Sequence, residues 1–181
     1  MKKTMFGITF AVTILTVLSA RLYHKTSEGL LLTIAITFGT IAYHLIMRLC
    51  VGHFINHLVD NRIDYRKNWF RLRKCEKRVY DKWNVKTWKD RLPTYDPSLF
   101  SLRNHSFDEI AQAMCQAEIV HEVIILFSFV PLFFSIPFGA FPVFLITSLL
   151  SALFDSLFVI VQRYNRPRII RLACRKQINK K

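Results

Sequence analysis

Residues Val123 to Phe154 read VIILFSFVPLFFSIPFGAFPVFLITSLLSALF, 32 residues without a formal charge. One helix crossing a bilayer needs roughly 20 apolar residues. The run is therefore too long for one span and long enough for two. Pro137, Gly139 and Pro142 cluster near its middle, where such residues break a helix into a hairpin. The stretch is read as two spans, about 119–137 and about 143–161, with a kink in the first at Pro131.

Upstream, Met5 to Ala20 is uncharged and extends past Arg21 to Tyr23 if the arginine snorkels, giving a span over 5–23. Lys2 and Lys3 precede it, as in a signal peptide. The would-be cleavage site Leu18-Ser19-Ala20 places a bulky residue where a small one is wanted, and a second apolar run follows at once. A retained signal anchor is expected. That second run, Gly29 to Met47, is the span over 29–47. Hydrophobic residues make up 52% of the chain, yet its net charge is +14, so apolar blocks belong in lipid and basic blocks outside it.

The expected fold is an all-α membrane protein, a single membrane domain over 1–181. It has four transmembrane helices, an interfacial segment over 48–118 and a basic tail over 162–181. Placing both termini in the cytoplasm of a multi-pass cell-membrane protein puts 24 Lys and Arg inside and 2 outside, the bias expected of such proteins. The same placement makes anionic lipid headgroups or a phosphorylated substrate better partners for the basic charge than nucleic acid. Cys50, Cys75, Cys115 and Cys174 are scattered, without a C-x-x-C pair, and fall near the cytoplasmic side, where thiols stay reduced.

The long loop is not a disordered linker. Trp69, Phe70, Leu72, Val79, Tyr80 and Trp83 recur at spacings near 3 and 4 between charges, the pattern of an amphipathic helix lying in the interface. Packing of those aromatics against the span ends is the equal alternative. Pro93 to Ser98 reads as turn and loop. Phe107 to Cys115 reads as a short helix capped by Ser106 with Glu109 three residues on.

Three places carry groups able to do chemistry. Gln162-Arg163-Tyr164-Asn165-Arg166-Pro167-Arg168 lies where the last apolar run becomes a basic tail. Guanidinium forks there can hold phosphate or carboxylate bidentately, with Pro167 expected to end the helix. A plain stop-transfer anchor is the other reading. Glu118 and His121, spaced i, i+3, share a helix face at the start of the third span. The hairpin brings them into the same leaflet as the arginines. His121 can act as general base, with Glu118 fixing its tautomer or binding sugar. The alternative is an ion pair between Glu118 and one of the arginines. Asp155 sits inside the fourth span, where an acid normally faces a polar interior; it is expected to line a substrate pocket or to pair with His44 or an arginine.

No metal site is expected. Glu-x-x-His occurs once where a di-metal bundle needs it twice, and His53 with His57 lacks a third ligand. There is no P-loop, dinucleotide fingerprint or G-x-S-x-G elbow.

Trp88-Lys89 with Leu92-Pro93, Ala117-Glu118 with His121, and Gln162 to Arg168 resemble the glycosyl-4,4'-diaponeurosporenoate acyltransferase family of Gram-positive bacteria. The resemblance covers about 65–172, and Glu76, Tyr80 and Val85 also fall where that family carries Glu, Tyr and an aliphatic residue. It implies a membrane O-acyltransferase that esterifies a sugar hydroxyl of a glycosylated carotenoid acid with a fatty acyl chain. The chain departs from the family pattern at Ala113, Gln116, Asp155 and Leu157, which bears on the acceptor more than on the reaction class.

Chemistry and position then give the expected roles. His121 deprotonates the sugar hydroxyl of a glycolipid. Arg163, Arg166 or Arg168, with Asn165 or Trp88, stabilises the oxyanion or holds donor phosphates. Gln162, Tyr164, Lys89 and Asp155 complete the substrate-binding set. No cofactor is expected; an acyl thioester such as acyl-CoA is the co-substrate. Membrane lipids and other membrane biosynthetic enzymes are expected partners. Two other readings stay open: a non-enzymatic module binding anionic lipid or a partner enzyme through its basic face, and a transferase acting on a phospholipid headgroup.

Overall fold

A helix satisfies all its backbone amides within one segment, so long apolar stretches in lipid adopt it. The computed structural model describes residues 2–94 and 96–178. Tyr95, in the expected turn from Pro93 to Ser98, lies outside them, as do Met1 and the end of the basic tail. The described residues are helical with no strand, and four of the helices are long and apolar enough to cross a membrane. In order the helices are α1 (Lys2–Thr26), α2 (Gly29–Val59), α3 (Lys74–Lys82), α4 (Val85–Trp88), α5 (Phe107–Phe127), α6 (Ser135–Phe138) and α7 (Phe141–Ile178). By its internal contacts the chain separates into two compact units, Met1–Gly52 with Val123–Asp155 and His53–Glu122 with Ser156–Lys181.

Several expected boundaries move. The short helix expected over Phe107 to Cys115 is the first part of α5, and its capping box forms: Ser106 N donates to Glu109 Oε2 at 2.6 Å and Glu109 N donates to Ser106 Oγ at 3.2 Å. The third span does not run as one α-helix to residue 137. Regular α-helix stops at Phe127, and a 3-10 stretch Val130–Phe134 and then α6 follow. Pro131, near the start of that stretch, has no amide to continue the ladder, so the chain tightens where a kink was expected. The hairpin turns at Gly139 and Ala140, both in the left-handed region with φ of 66° and 51°. Gly139 adopts this without steric cost.

The largest correction concerns Pro167. It does not end the helix: α7 continues through it to Ile178. A proline inside a helix forfeits one backbone hydrogen bond, at a cost of about 3 kcal/mol. Ion pairs made by Arg163 and Arg166, on the turn just before it, offset that loss. Arg171 Nε also donates to the Pro167 carbonyl at 3.2 Å.

The first unit buries a set of polar side chains and exposes many of its large apolar ones. Phe10, Leu30, Leu126, Phe133, Ile136, Leu150 and Leu153 are exposed, whereas Thr40, His44, Ser128, Ser148, Ser151 and Asp155 are buried. Such an arrangement suits hydrocarbon as solvent, where polar side chains act between helices. Tyr43 Oη donates to the Phe127 carbonyl at 2.9 Å, and the Ser128 and Ser151 hydroxyls share a bond of 2.9 Å. Asp155, 1% exposed, is paired with an arginine, the second of its expected partners: Arg48 donates to Asp155 Oδ2 through Nε at 3.0 Å and Nη2 at 2.5 Å. Nη2 also reaches Ser151 Oγ at 2.9 Å.

The amphipathic helix expected from Trp69 to Trp83 is two pieces. A 3-10 turn, Asn68–Phe70, leads through extended backbone at Arg71 and Arg73 into α3. The apolar residues of this stretch divide between the interior and the surface. Phe70 and Tyr80 are buried in the second unit, while Trp69, Val79 and Trp83 are exposed. Phe70 packs with Ile63 and Cys115, flanked by Val59, Tyr65 and Ile119.

Removing one partner of a buried ion pair strands the other charge, at a cost of about 3–5 kcal/mol. Asp155→Ala is expected to lower thermal stability in detergent by that order. The paired replacement Arg48→Met with Asp155→Leu is expected to recover most of it.

Candidate functional site

Sequence spacing already places Glu118, His121 and Glu122 on adjoining positions of one face of α5, at i, i+3 and i+4. The second unit sets that face against the part of α7 that carries Gln162 to Arg168. Glu118 is the centre of the contact and is wholly buried. Arg163 Nε donates to its Oε1 at 2.7 Å, and Arg166 Nη2 donates to its Oε2. One carboxylate thus joins two arginines one turn apart, which is what a charge needs when it is taken out of water.

Each arginine has further partners. Arg163 Nη1 donates to Glu76 Oε1 at 2.5 Å and Nη2 donates to Glu122 Oε1 at 3.1 Å, so three carboxylates surround one guanidinium. Glu76 comes from α3, where its other oxygen accepts the Arg73 amide at 2.8 Å and closes the helix start. The second oxygen of Glu122 accepts Trp69 Nε1 at 3.0 Å. Arg166, 1% exposed, donates from Nη1 to the Phe70 carbonyl at 2.7 Å and lies 5.1 Å from the centre of the Phe70 ring. This stacking of a desolvated guanidinium is favourable. Glu76 and Glu122 were not foreseen as a set. The i, i+4 spacing of Glu122 from Glu118 was a readable hint, whereas nothing local marks Glu76.

His121 stacks on Phe158 of α7, ring centres 4.6 Å apart and planes 10° apart. Phe158, Gln162 and Asn165 follow at i, i+4 and i+7, one stripe of that helix. At the Asn165 end, Lys89 Nζ donates to Asn165 Oδ1 at 2.9 Å and lies 6.0 Å from the centre of the Tyr164 ring. Asn84, left-handed with φ of 52°, turns the chain between α3 and α4 and so delivers Lys89; asparagine tolerates that conformation better than most residues. Trp88 spends its indole N–H within its own turn, donating to the Trp83 carbonyl at 3.1 Å. Tyr80 is held above the usual phenol pKa by burial and then by the Glu76 carboxylate, so it stays neutral at physiological pH and cannot be a base.

The expected site residues therefore fall in different places. Glu118, Arg163 and Arg166 form an ionic clamp, the alternative that the sequence had left open beside catalysis. His121, Gln162, Tyr164, Asn165 and Lys89 border the stripe. Arg168 is exposed and has no ion pair among the described residues. Asp155 belongs to the other unit, bound to Arg48.

This defines a four-span, all-helical membrane protein whose basic residues build a fixed polar site. A family model described as glycosyl-4,4'-diaponeurosporenoate acyltransferase matches residues 66–175, which include the clamp, His121 and Lys89. The chain belongs to that family and is an acyltransferase of carotenoid glycolipid biosynthesis, a class that implies a glycosylated lipid acceptor and an acyl donor. No curated protein and no solved structure matches the chain.

The clamp predicts unequal sensitivities. Glu118→Ala leaves two guanidinium groups without their shared partner and is expected to cost about 3–5 kcal/mol. Glu76→Ala, at a partly exposed position where Arg163 keeps two other carboxylates, is expected to cost about 1 kcal/mol. Urea titration in micelles checks the order.

Proposed function

We propose that the protein esterifies a sugar hydroxyl of a glycosylated lipid with a fatty acyl chain, using His121 as general base. The observation carrying this reading is the His121–Phe158 stack. It fixes an imidazole one helical turn from Gln162 and two from Asn165 and Lys89. An acyl thioester, such as acyl-CoA, serves as co-substrate with its chain among the apolar helices, and no cofactor enters the scheme.

The steps follow acyl-transfer chemistry. His121 takes the proton from the sugar hydroxyl, and the oxygen attacks the thioester carbonyl carbon. The Gln162 amide, the nearest donor along the stripe, hydrogen-bonds the developing oxyanion. Collapse expels the thiolate, which takes the proton back from the imidazolium and leaves the ester. Lys89 and Asn165 bind the polar part of the acceptor, with Tyr164 alongside. Glu118 acts as a positioning residue: by clamping Arg163 and Arg166 it sets the rotation of α7, and so where Gln162 points. Arg168 is the arginine open to a phosphate or carboxylate of the donor. Asp155 and Trp88 receive structural roles in this scheme. The 24 to 2 distribution of basic residues supports a cell-membrane protein with both termini and this site on the cytoplasmic side.

One general base contributes about 10²–10⁴-fold. His121→Ala is expected to lower esterification by that factor, read by mass spectrometry of lipid extracts, with membrane insertion unchanged. Near-normal ester formation by that variant would remove His121 from the mechanism. Arg168→Lys separates recognition from charge. A fork holding an anion bidentately predicts a raised donor KM with kcat preserved, whereas a charge-only role predicts no change.

A further inference from the structure

In the first unit, two buried side chains of the apolar spans have polar atoms left over. His44 is 4% exposed and Ser148 is wholly buried. Neither ring nitrogen of His44 and not the Ser148 hydroxyl finds a hydrogen-bond partner among the described residues. Buried polar groups are nearly always bonded, so three orphaned atoms in one small unit require an explanation.

The bonds of this unit bring the two residues to one level. Tyr43, next to His44, bonds the Phe127 carbonyl; Ser128, next in sequence, bonds Ser151, which is one turn from Ser148. Arg48, one turn after His44, bonds Ser151 and Asp155. Arg48 and Asp155 neutralise one another, so the surroundings of His44 and Ser148 favour a neutral group over an ion. A neutral imidazole offers one donor and one acceptor, and a serine hydroxyl offers both. The group that complements them must likewise donate and accept, which describes a hydroxyl and rules out an ether or a hydrocarbon end.

We propose that His44 and Ser148 form an intramembrane site for the hydroxyl group of a lipidic ligand. Molecules reach this part of the protein laterally from hydrocarbon: Ile41, Ile46, Leu149 and Leu150, which neighbour the two residues in sequence, are exposed apolar side chains. Amphiphilic alcohols are supplied there, whereas water is scarce. The site is independent of the role given to His121, because its residues belong to the other unit.

Full-length protein in phospholipid nanodiscs is photolabelled with a long-chain alcohol bearing a diazirine beside the hydroxyl, with its methyl ether as control. The alcohol is expected to label peptides containing His44 and Ser148. Losing one hydrogen bond weakens binding by roughly three- to tenfold, so Ser148→Ala and His44→Phe are each expected to cut that labelling by this factor. The ether is expected to label the unaltered chain no better than the alcohol labels the variants. Ser148→Ala removes one oxygen and preserves packing, so it decides the matter if His44→Phe fails to fold. Equal labelling by alcohol and ether, or unchanged labelling of Ser148→Ala, overturns the proposal and assigns the orphaned atoms to water.

Discussion

The second unit depends on a single carboxylate. Glu118 has no access to solvent, and several kcal/mol are needed to strip an ion of water. Two guanidinium groups, each with further partners, make that burial tolerable. Because Arg163 also bonds Glu76 and Glu122, and Arg166 also bonds the Phe70 carbonyl, the cost is met only when α3, the 3-10 turn, α5 and α7 are all in place. Partial assembly leaves charge stranded. The clamp is therefore cooperative, and it specifies the rotation of α7 more sharply than apolar packing could. His121 and the Gln162–Asn165 stripe receive their geometry as a consequence.

Arginine meets two different demands here. In the first unit Arg48 neutralises Asp155 within a bundle whose exterior is hydrocarbon-like, and the pair serves to join helices. In the second unit the carboxylates outnumber the guanidinium groups they surround, so the charges of Arg163 and Arg166 are already neutralised. The sequence had offered every arginine of the motif as an anion binder. That pairing removes two of them from the task and leaves it to Arg168, Lys89 and the amides.

The helical class and the four spans were legible because uncharged runs of that length have few other fates. The hairpin was legible in Pro137, Gly139 and Pro142, and the pairing of α5 with α7 followed from it. Helix ends were less so. Pro167 obeys a local rule that predicts termination, but tertiary ion pairs outweigh one missing bond. The break after Phe127 comes from Pro131, whose effect was anticipated as a bend and is realised as a change of helix type. Periodicity from Trp69 to Trp83 could not reveal that Arg73 is extended, because side-chain spacing records faces and not caps. Glu76 was visible to resemblance alone: its partner lies 87 positions away, beyond any local pattern. His44 was read only as a possible partner for Asp155, since nothing in a sequence tells a satisfied buried histidine from an orphaned one.

Pro167 carries one more implication. A helical carbonyl is ordinarily occupied by the amide four residues on, and for Arg163 that residue is the proline. The main chain at the clamp therefore retains an acceptor of its own, fixed in direction by the helix and indifferent to pH. Exchanging the Arg163 side chain leaves it in place; only replacing the ring, which would restore the amide, closes it. A backbone acceptor so released is encoded four residues away from where it lies.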